Sequence, residues 1–387
     1  MSSIKPTASN NFNMNDNISH DLPYDEPLGQ LEAVAFFNDA MPTGVTVSHK
    51  GRIFVNFPKW GDDVKFTVAE IREHNIVAYP NETINETNQK DQSSTLVSVQ
   101  SVVVDAADRL WILDTGSPLF KPTEFGGPKL VCIDLETDKV TKNILFSQDV
   151  ALPTSYLNDV RFDLRRGKEG MAFITDSSQN GPNGIIVVDL ESGNSWRRLH
   201  DHPSTKAEDI QTFLPIVEGR PFLEYQQNGE VKQGASMGTD GIAISSDGSR
   251  LYYCPLGSRK LYSIKIDSIV DPTIDEQKIS NTVTYEGDRG GASDGLESDS
   301  EGYIYSTNYE HNAILRRRVS EKGVWETIVH DPRLLWPDTL SLATNGYLYV
   351  TANQLHRQAR YQKGHDLRRK PYTLFRIKIN TKPVLLK

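Results

Sequence analysis

Six times along the chain, alternating apolar and polar residues break at a short turn containing Gly or Asp and then resume. The six segments are MPTGVTVSHKGRIFVNF, SVQSVVVDAADRLWILDTG, YLNDVRFDLRRGKEGMAFITD, GTDGIAISSDGSRLYYCPL, ASDGLESDSEGYIYSTN and WPDTLSLATNGYLYVTAN. A period of two on either side of a turn predicts a β-hairpin with one face buried. A third alternating run follows each hairpin (FTVAEI, KLVCIDLET, GIIVVDLES, KLYSIKI, AILRRRV, YTLFRIKI), and weaker fourth runs such as VTKNILF and WETIVHD come after some. No stretch sustains a 3.6-residue period. Six repeats of about four strands predict an all-β, six-bladed β-propeller, in which radial repetition protects the sheet edges. The last repeat ends at YTLFRIKI, so LEAVAFF at residues 31–37 is expected to supply its outer strand and close the ring. Residues 29–387 then form one domain, preceded by a polar tail over residues 1–28 whose composition cannot bury enough surface to order itself.

The repeats align one polar residue just before each first strand: Thr43, Gln100, Asn158, Asp240, Asp294 and Asp338, at intervals of 57, 58, 82, 54 and 44 residues. In a propeller the innermost strand starts at one face and the second strand returns to it. These six residues, with Asn56, Asp114, Asp176, Asn308 and Asn353 at the ends of second strands, are therefore expected round one mouth of the central channel. Loops leaving the second strands bring Trp60, Phe120, Tyr309, His311, His356 and Tyr361 to the same mouth. A polar floor with an aromatic rim is the usual form of a small-molecule site.

Composition narrows the partners. With 42 Lys and Arg against 51 Asp and Glu, the net charge of −9 disfavours nucleic acid and anionic membrane surfaces. No apolar run approaches the ~18 residues of a membrane span. Two cysteines, Cys132 and Cys254, both in strand-like runs, exclude a disulfide scaffold and read as buried thiols. The first 28 residues lack the apolar core of a secretory signal, which leans the localisation towards the cell interior. Sequons at Asn17, Asn81 and Asn85 leave export open. Small molecules are the expected partners; composition does not address oligomeric state.

Within the mouth, Asp240, Asp294, Asp338 and Asn158 are the candidate catalytic groups, with His311 beside them. An Asp before Gly or Thr also opens strands by binding local amides, so a purely structural role stands as the alternative. Gathered carboxylates raise one another's pKa or recruit a cation. Calcium takes six to eight oxygen ligands, which carboxylates, Asn and water supply. The candidate substrate-binding residues are Trp60, Phe120, Tyr156, Trp336, His356, Arg357 and Tyr361. Residues 356–370, HRQARYQKGHDLRRK, are either a solvated basic loop or a lid, and the excursion at 197–237 is a second flap. GASMG at 234–238 fits G-x-S-x-G, but it precedes a propeller strand where the motif needs a strand-to-helix turn, and chance explains it.

RLWILDTGS, KLVCIDLETDKV, YLNDVRFD, GIAISSDGSRLYYCPLGSRKLYSI and ASDGLESDSEG, in this order through residues 30–385, resemble the yellow / major royal jelly protein family. That resemblance implies a six-bladed propeller related in fold to gluconolactonase and other calcium-dependent lactonases. It also implies a range of roles: nutritional and pigment-pathway proteins, binders of biogenic amines, and fungal tailoring enzymes of secondary metabolism. The fungal enzymes join a tropolone quinone methide to a sesquiterpene alkene by hetero-Diels–Alder cycloaddition, and that is the activity expected here. A non-catalytic binder of small aromatics and a calcium-dependent lactonase are the alternatives. The lactonase-type site takes a glutamate from its first blade, where this chain has Thr43, so no cofactor and at most weak calcium binding are expected.

Overall fold

A computed structural model describes residues 24–321 and 323–387. Six four-stranded antiparallel sheets are arranged as the blades of a propeller. Blade one comprises Val45–Val47, Ile53–Asn56, Val68–Arg72 and Asn75–Ala78; blade two, Val99–Val104, Arg109–Asp114, Lys129–Asp134 and Lys139–Leu145; blade three, Leu157–Asp163, Met171–Asp176, Gly184–Asp189 and Ser195–Arg198. Blade four comprises Thr239–Ile244, Arg250–Pro255, Lys260–Lys265 and Thr284–Asp288, and blade five, Leu296–Ser298, Tyr303–Asn308, Ala313–Arg318 and Glu326–His330. Blade six runs Pro337–Leu342, Tyr347–Ala352, Tyr372–Lys378 and then Glu32–Phe37, so the expected closure by an N-terminal strand is present. Among the described residues three short α-helices, the longest Glu276–Ser280, lie outside the blades.

Burial follows the radius. Every residue of Thr239–Ile244, innermost in blade four, is buried, whereas the outer strand Lys139–Leu145 is mostly exposed, with only Ile144 buried. The core lies between blades, where the two sheet faces interdigitate. Trp111, Leu130 and Ile144 of blade two, for example, pack on Val160, Ile174 and Val188 of blade three. Cys132 and Cys254 are buried free thiols.

Four innermost strands carry the same irregularity at their first residues. The pairing register with the second strand slips between Val99 and Ser101, Leu157 and Val160, Thr239 and Ile242, and Pro337 and Leu340. Such a bulge takes residues out of the ladder and re-aims their side chains. The displaced residues include Gln100, Asn158, Asp240 and Asp338, so the bulge turns the aligned polar set towards the axis. Second-strand threonines satisfy amides near these openings: Thr175 accepts from Asp159 N at 3.1 Å, Thr351 from Thr339 N at 3.3 Å, and Thr307, in the unbulged blade five, from Asp294 N at 3.0 Å. Blades four, five and six also approach closely at the axis. A Cβ on Gly241 would stand 2.4 Å from the Asp294 carbonyl oxygen, and one on Gly295 2.4 Å from that of Asp338. Only glycine permits that contact, which draws the three aspartates together.

The polar segment predicted over residues 1–28 falls mostly outside the described residues, as does Asn17. Its last residues touch blade five: Leu28 and His330 exchange backbone hydrogen bonds of 2.8 and 3.0 Å, and His330 meets Asp25 at 2.9 Å. Of the other sequons, Asn81 is exposed. Asn85 is buried, with its Oδ1 accepting from Thr67 N and Val68 N, and is closed to glycosylation in the folded chain.

Candidate functional site

The axial floor is a connected polar network. Asn158 Nδ2 donates to Asp240 Oδ2 at 2.6 Å, Trp336 Nε1 to Asp294 Oδ2 at 2.8 Å, and Asn353 Nδ2 to Asp338 Oδ2 at 2.6 Å. Each carboxyl thus has one oxygen fixed by an N–H donor. Asp240 and Asp294 hydrogen-bond to each other. All three are buried, and burial is the main cause of their raised pKa values. Asp294 rises to about 6, held down by the Trp336 and Asp240 hydrogen bonds. Asp240 stands well above the carboxylate range, through burial and then the charges of Asp294 and Asp338. Asp338 does too, through burial and then Asp294. The Asp240–Asp294 pair therefore keeps a shared proton at pH values where free carboxyls have lost theirs, and can both give and take a proton.

The network continues through blade two. Gln100 Nε2 donates to Asn158 Oδ1 at 3.4 Å, Tyr156 OH to Gln100 Oε1 at 2.9 Å, and Trp60 Nε1 to Tyr156 OH at 2.7 Å. Burial raises the Tyr156 pKa, so the phenol stays protonated. Phe120 stacks between Trp60 and Tyr156, with centroids 5.3 and 4.9 Å away.

The sequence suggests an open aromatic rim; the structure has a packed cover. Trp336 is completely buried and stacks on Tyr309 at 4.2 Å and His356 at 5.9 Å. Phe222 of the excursion fills the remaining space, 5.0 Å from Trp336 and 4.5 Å from Tyr361. The two long loops are tied together: Glu218 takes His356 Nε2 at 2.7 Å and Arg357 Nε at 2.8 Å, and Arg360 reaches Glu224 at 3.8 Å. These contacts hold Glu218 well below the usual carboxylate range. Burial lowers the His356 pKa, against the pull of Glu218. Arg357, expected to face substrate, thus has its charge matched within the cover. Glu218, Phe222 and Glu224 carry no periodic or motif signal and were not foreseen.

His311 stands apart. It is exposed at the turn after Tyr303–Asn308, and its described polar contacts are backbone ones, to Asn308 and His330. Asp114 and Asp176 also face inwards into their own blades. Asp114 accepts from Val97 N and Ser98 N and pairs with buried Lys129 at 2.9 Å, while Asp176 accepts from Tyr156 N and pairs with Arg197 at 2.7 Å. Ser236 accepts from Gln179 Nε2 at 3.0 Å and has no histidine among its described partners.

Several oxygens that a cation would need are already engaged. One oxygen of each aspartate already accepts from an N–H, and Thr43 Oγ1 accepts from Asn56 Nδ2 at 2.9 Å. Among the described residues, no group of three His, Cys, Asp or Glu side chains is placed to hold a metal ion.

A family model described as "Major royal jelly protein" matches residues 97–383. The chain belongs to the major royal jelly protein family. It is 28% identical to major royal jelly protein 1 of Apis mellifera over 205 residues, covering 51% of this chain and 42% of that protein. It is 23% identical to L-dopachrome tautomerase yellow-f of Drosophila melanogaster over 359 residues, covering 85% and 78%. The chain spans under half the length of the royal jelly relatives it matches. Among solved structures, a luciferin-regenerating enzyme superposes with a TM-score of 0.56 at 12% identity, covering 94% of this chain and 100% of that one. A calcium-binding regucalcin from Agrobacterium tumefaciens gives 0.53 at 14%, covering 92% and 98%. At these identities the structural likeness establishes the propeller fold. No helix among the described residues is long and apolar enough to cross a membrane.

Proposed function

We propose that this royal jelly family member is an enzyme that exchanges a proton with an oxygenated aromatic or quinone-type small molecule. Its specific reaction is an intermolecular hetero-Diels–Alder [4+2] cycloaddition of a tropolone-type quinone methide with a sesquiterpene alkene. The observation carrying this reading is the buried Asp240–Asp294 pair, one carboxyl protonated and one ionised, under an aromatic cover. The motif resemblance to fungal family members supports the choice of reaction.

In the first step Asp294 accepts the ring hydroxyl proton of a benzylic-type alcohol while Asp240 protonates the departing hydroxyl. Water leaves and the quinone methide forms, with no net change in the pair's protons. General acid–base assistance of this kind contributes about 10²–10⁴-fold. A protonated carboxyl then donates to the heterodiene carbonyl and makes it a better electron acceptor, as fixed dipoles do for developing charge. The new C–C and C–O bonds form together without a nucleophile. Holding both reactants in a near-attack arrangement lowers such a barrier by about 7–11 kcal/mol in favourable systems. Access requires Phe222 and Tyr361 to separate from Trp336.

A second reading has one observation in its favour. Yellow-f, a named dopachrome tautomerase, aligns over 85% of this chain. Tautomerisation moves a proton between carbon and oxygen, which the same carboxyl pair is suited to do.

The test supplies a tropolone-type quinone methide precursor with a sesquiterpene alkene and measures adduct formation and stereochemical purity, with dopachrome in a parallel assay. The expected result is an accelerated, stereochemically biased adduct. Stoichiometric binding of aromatics without acceleration in either assay would replace an enzyme with a binder. Turnover is expected to survive EDTA, because one oxygen of each floor aspartate is already held by an N–H donor and Thr43 stands where the lactonase-type site has a glutamate. Loss in EDTA with recovery on calcium would favour a lactonase-like hydrolase.

A further inference from the structure

Outside the aromatic cover, between the excursion and the loop after Tyr347–Ala352, lies a cleft of about 900 Å³, within the size range of small-molecule sites. Its apolar walls include Phe222, Leu223, Tyr225, Tyr361 and Leu367. Five cations also line it, and they divide into two kinds. Arg357 is matched by Glu218, and Arg368 by Asp62 and Asp366. Arg220, Lys363 and Arg369 are exposed and make no ion pair among the described residues. Lys363 lies over the Tyr225 ring at 5.5 Å. Three unmatched cations round an aromatic cavity are notable in a chain of net charge −9. Exposed cations normally spread among carboxylates; here the nearby Glu218 and Asp366 are already taken.

We propose that this cleft is a binding site for a small planar organic anion, an aromatic carboxylate or enolate. Its charge is taken by Arg220, Lys363 and Arg369, and its ring lies against Tyr225 and Phe222. Guanidinium and ammonium groups pair with the anion, while the aromatic walls remove the ring from water. Inorganic phosphate meets the same cations but gains nothing from the walls, so the cleft favours an aromatic anion over it. Phe222 and Tyr361 form the inner wall, and Phe222 packs on Trp336, the donor to Asp294. A ligand in the cleft is therefore one aromatic layer from the axial carboxyls. The binding claim does not depend on the reaction at the axis.

The test is fluorescence titration of the full chain with anilinonaphthalene sulfonate and with its uncharged counterpart, N-phenyl-1-naphthylamine. The triple variant Arg220→Ala, Lys363→Ala, Arg369→Ala is expected to weaken the sulfonate at least tenfold and the neutral probe less than twofold. Its melting temperature and far-ultraviolet circular dichroism should be unchanged. At constant ionic strength, 1-naphthoate should displace the sulfonate and inorganic phosphate should not. Asp294→Asn should leave probe binding within twofold. Equal sulfonate affinity in the triple variant, or displacement by phosphate as effective as by naphthoate, would overturn the proposal. So would a large loss of binding in Asp294→Asn, which would put the probe at the axis. No arm measures turnover, so failure here is separable from failure of the proposed reaction.

Discussion

Asp294→Asn should lose at least 100-fold in turnover while ligand affinity changes by no more than about threefold. The substitution is nearly isosteric. The asparagine Oδ1 can keep the Trp336 hydrogen bond, but its Nδ2 is a donor where Asp294 accepted the Asp240 proton, so the floor keeps its shape and loses both its base and that acceptor. Wild-type kcat/KM should rise with pH through about 6, as Asp294 ionises, and this limb should vanish in the variant. Stability should move the other way. The folded pKa of about 6 lies above the unfolded value near 3.9, so the group's contribution is fully present below about pH 4 and is lost as pH rises through 6. Above that, the buried charge costs the native state on the order of 3 kcal/mol. The amide carries no charge, so the variant should melt a few degrees higher than wild type at pH 8, with little difference at pH 4. Equal losses of affinity and turnover would identify Asp294 as a passive binding group.

Replacing Trp336 by Ala should destabilise the protein by about 3–5 kcal/mol, as for other large-to-small changes at fully packed sites. Trp336 has φ of +56°, a conformation that costs a bulky residue about 1–3 kcal/mol and persists only where its surroundings impose it. Alanine relieves little of that strain and gives up the packing against Tyr309, Phe222 and His356. Urea unfolding measures the loss. Trp336→Phe separates packing from chemistry. It keeps a ring in the stack but removes the N–H that favours ionised Asp294, so the acidic limb of the pH profile should move upwards, with activity partly recovered at higher pH. A profile that overlays wild type would show that the indole does not set this proton affinity.

The propeller and its closing strand were legible because alternation survives in every repeat, and the aligned polar residue marked the axial floor one blade at a time. The bulges were not legible: a one-residue slip leaves the local pattern unchanged, and only pairing with the second strand exposes it. The cover was legible as aromatic content but not as packing, because Phe222 comes from a segment without periodicity. Glu218 meets His356 across 138 residues of chain. Arg357 looked available to substrate for the same reason, since nothing near it in sequence supplies its carboxylate. His311 also follows a second strand, but it is exposed and makes no described side-chain hydrogen bond to the axial aspartates.

The bulges also separate chemistry from folding. Gln100, Asn158, Asp240 and Asp338 occupy positions that the β-ladder does not use for pairing, and the inter-blade core is built from other residues. Substituting one of them rewrites the floor's charge and proton inventory while leaving the hydrophobic faces that assemble the ring untouched. Four such positions, varied independently, give one scaffold many possible floors, so family members with the same blades can differ in what they do through a few side chains. A comparison of these positions should therefore sort activities better than overall sequence identity does.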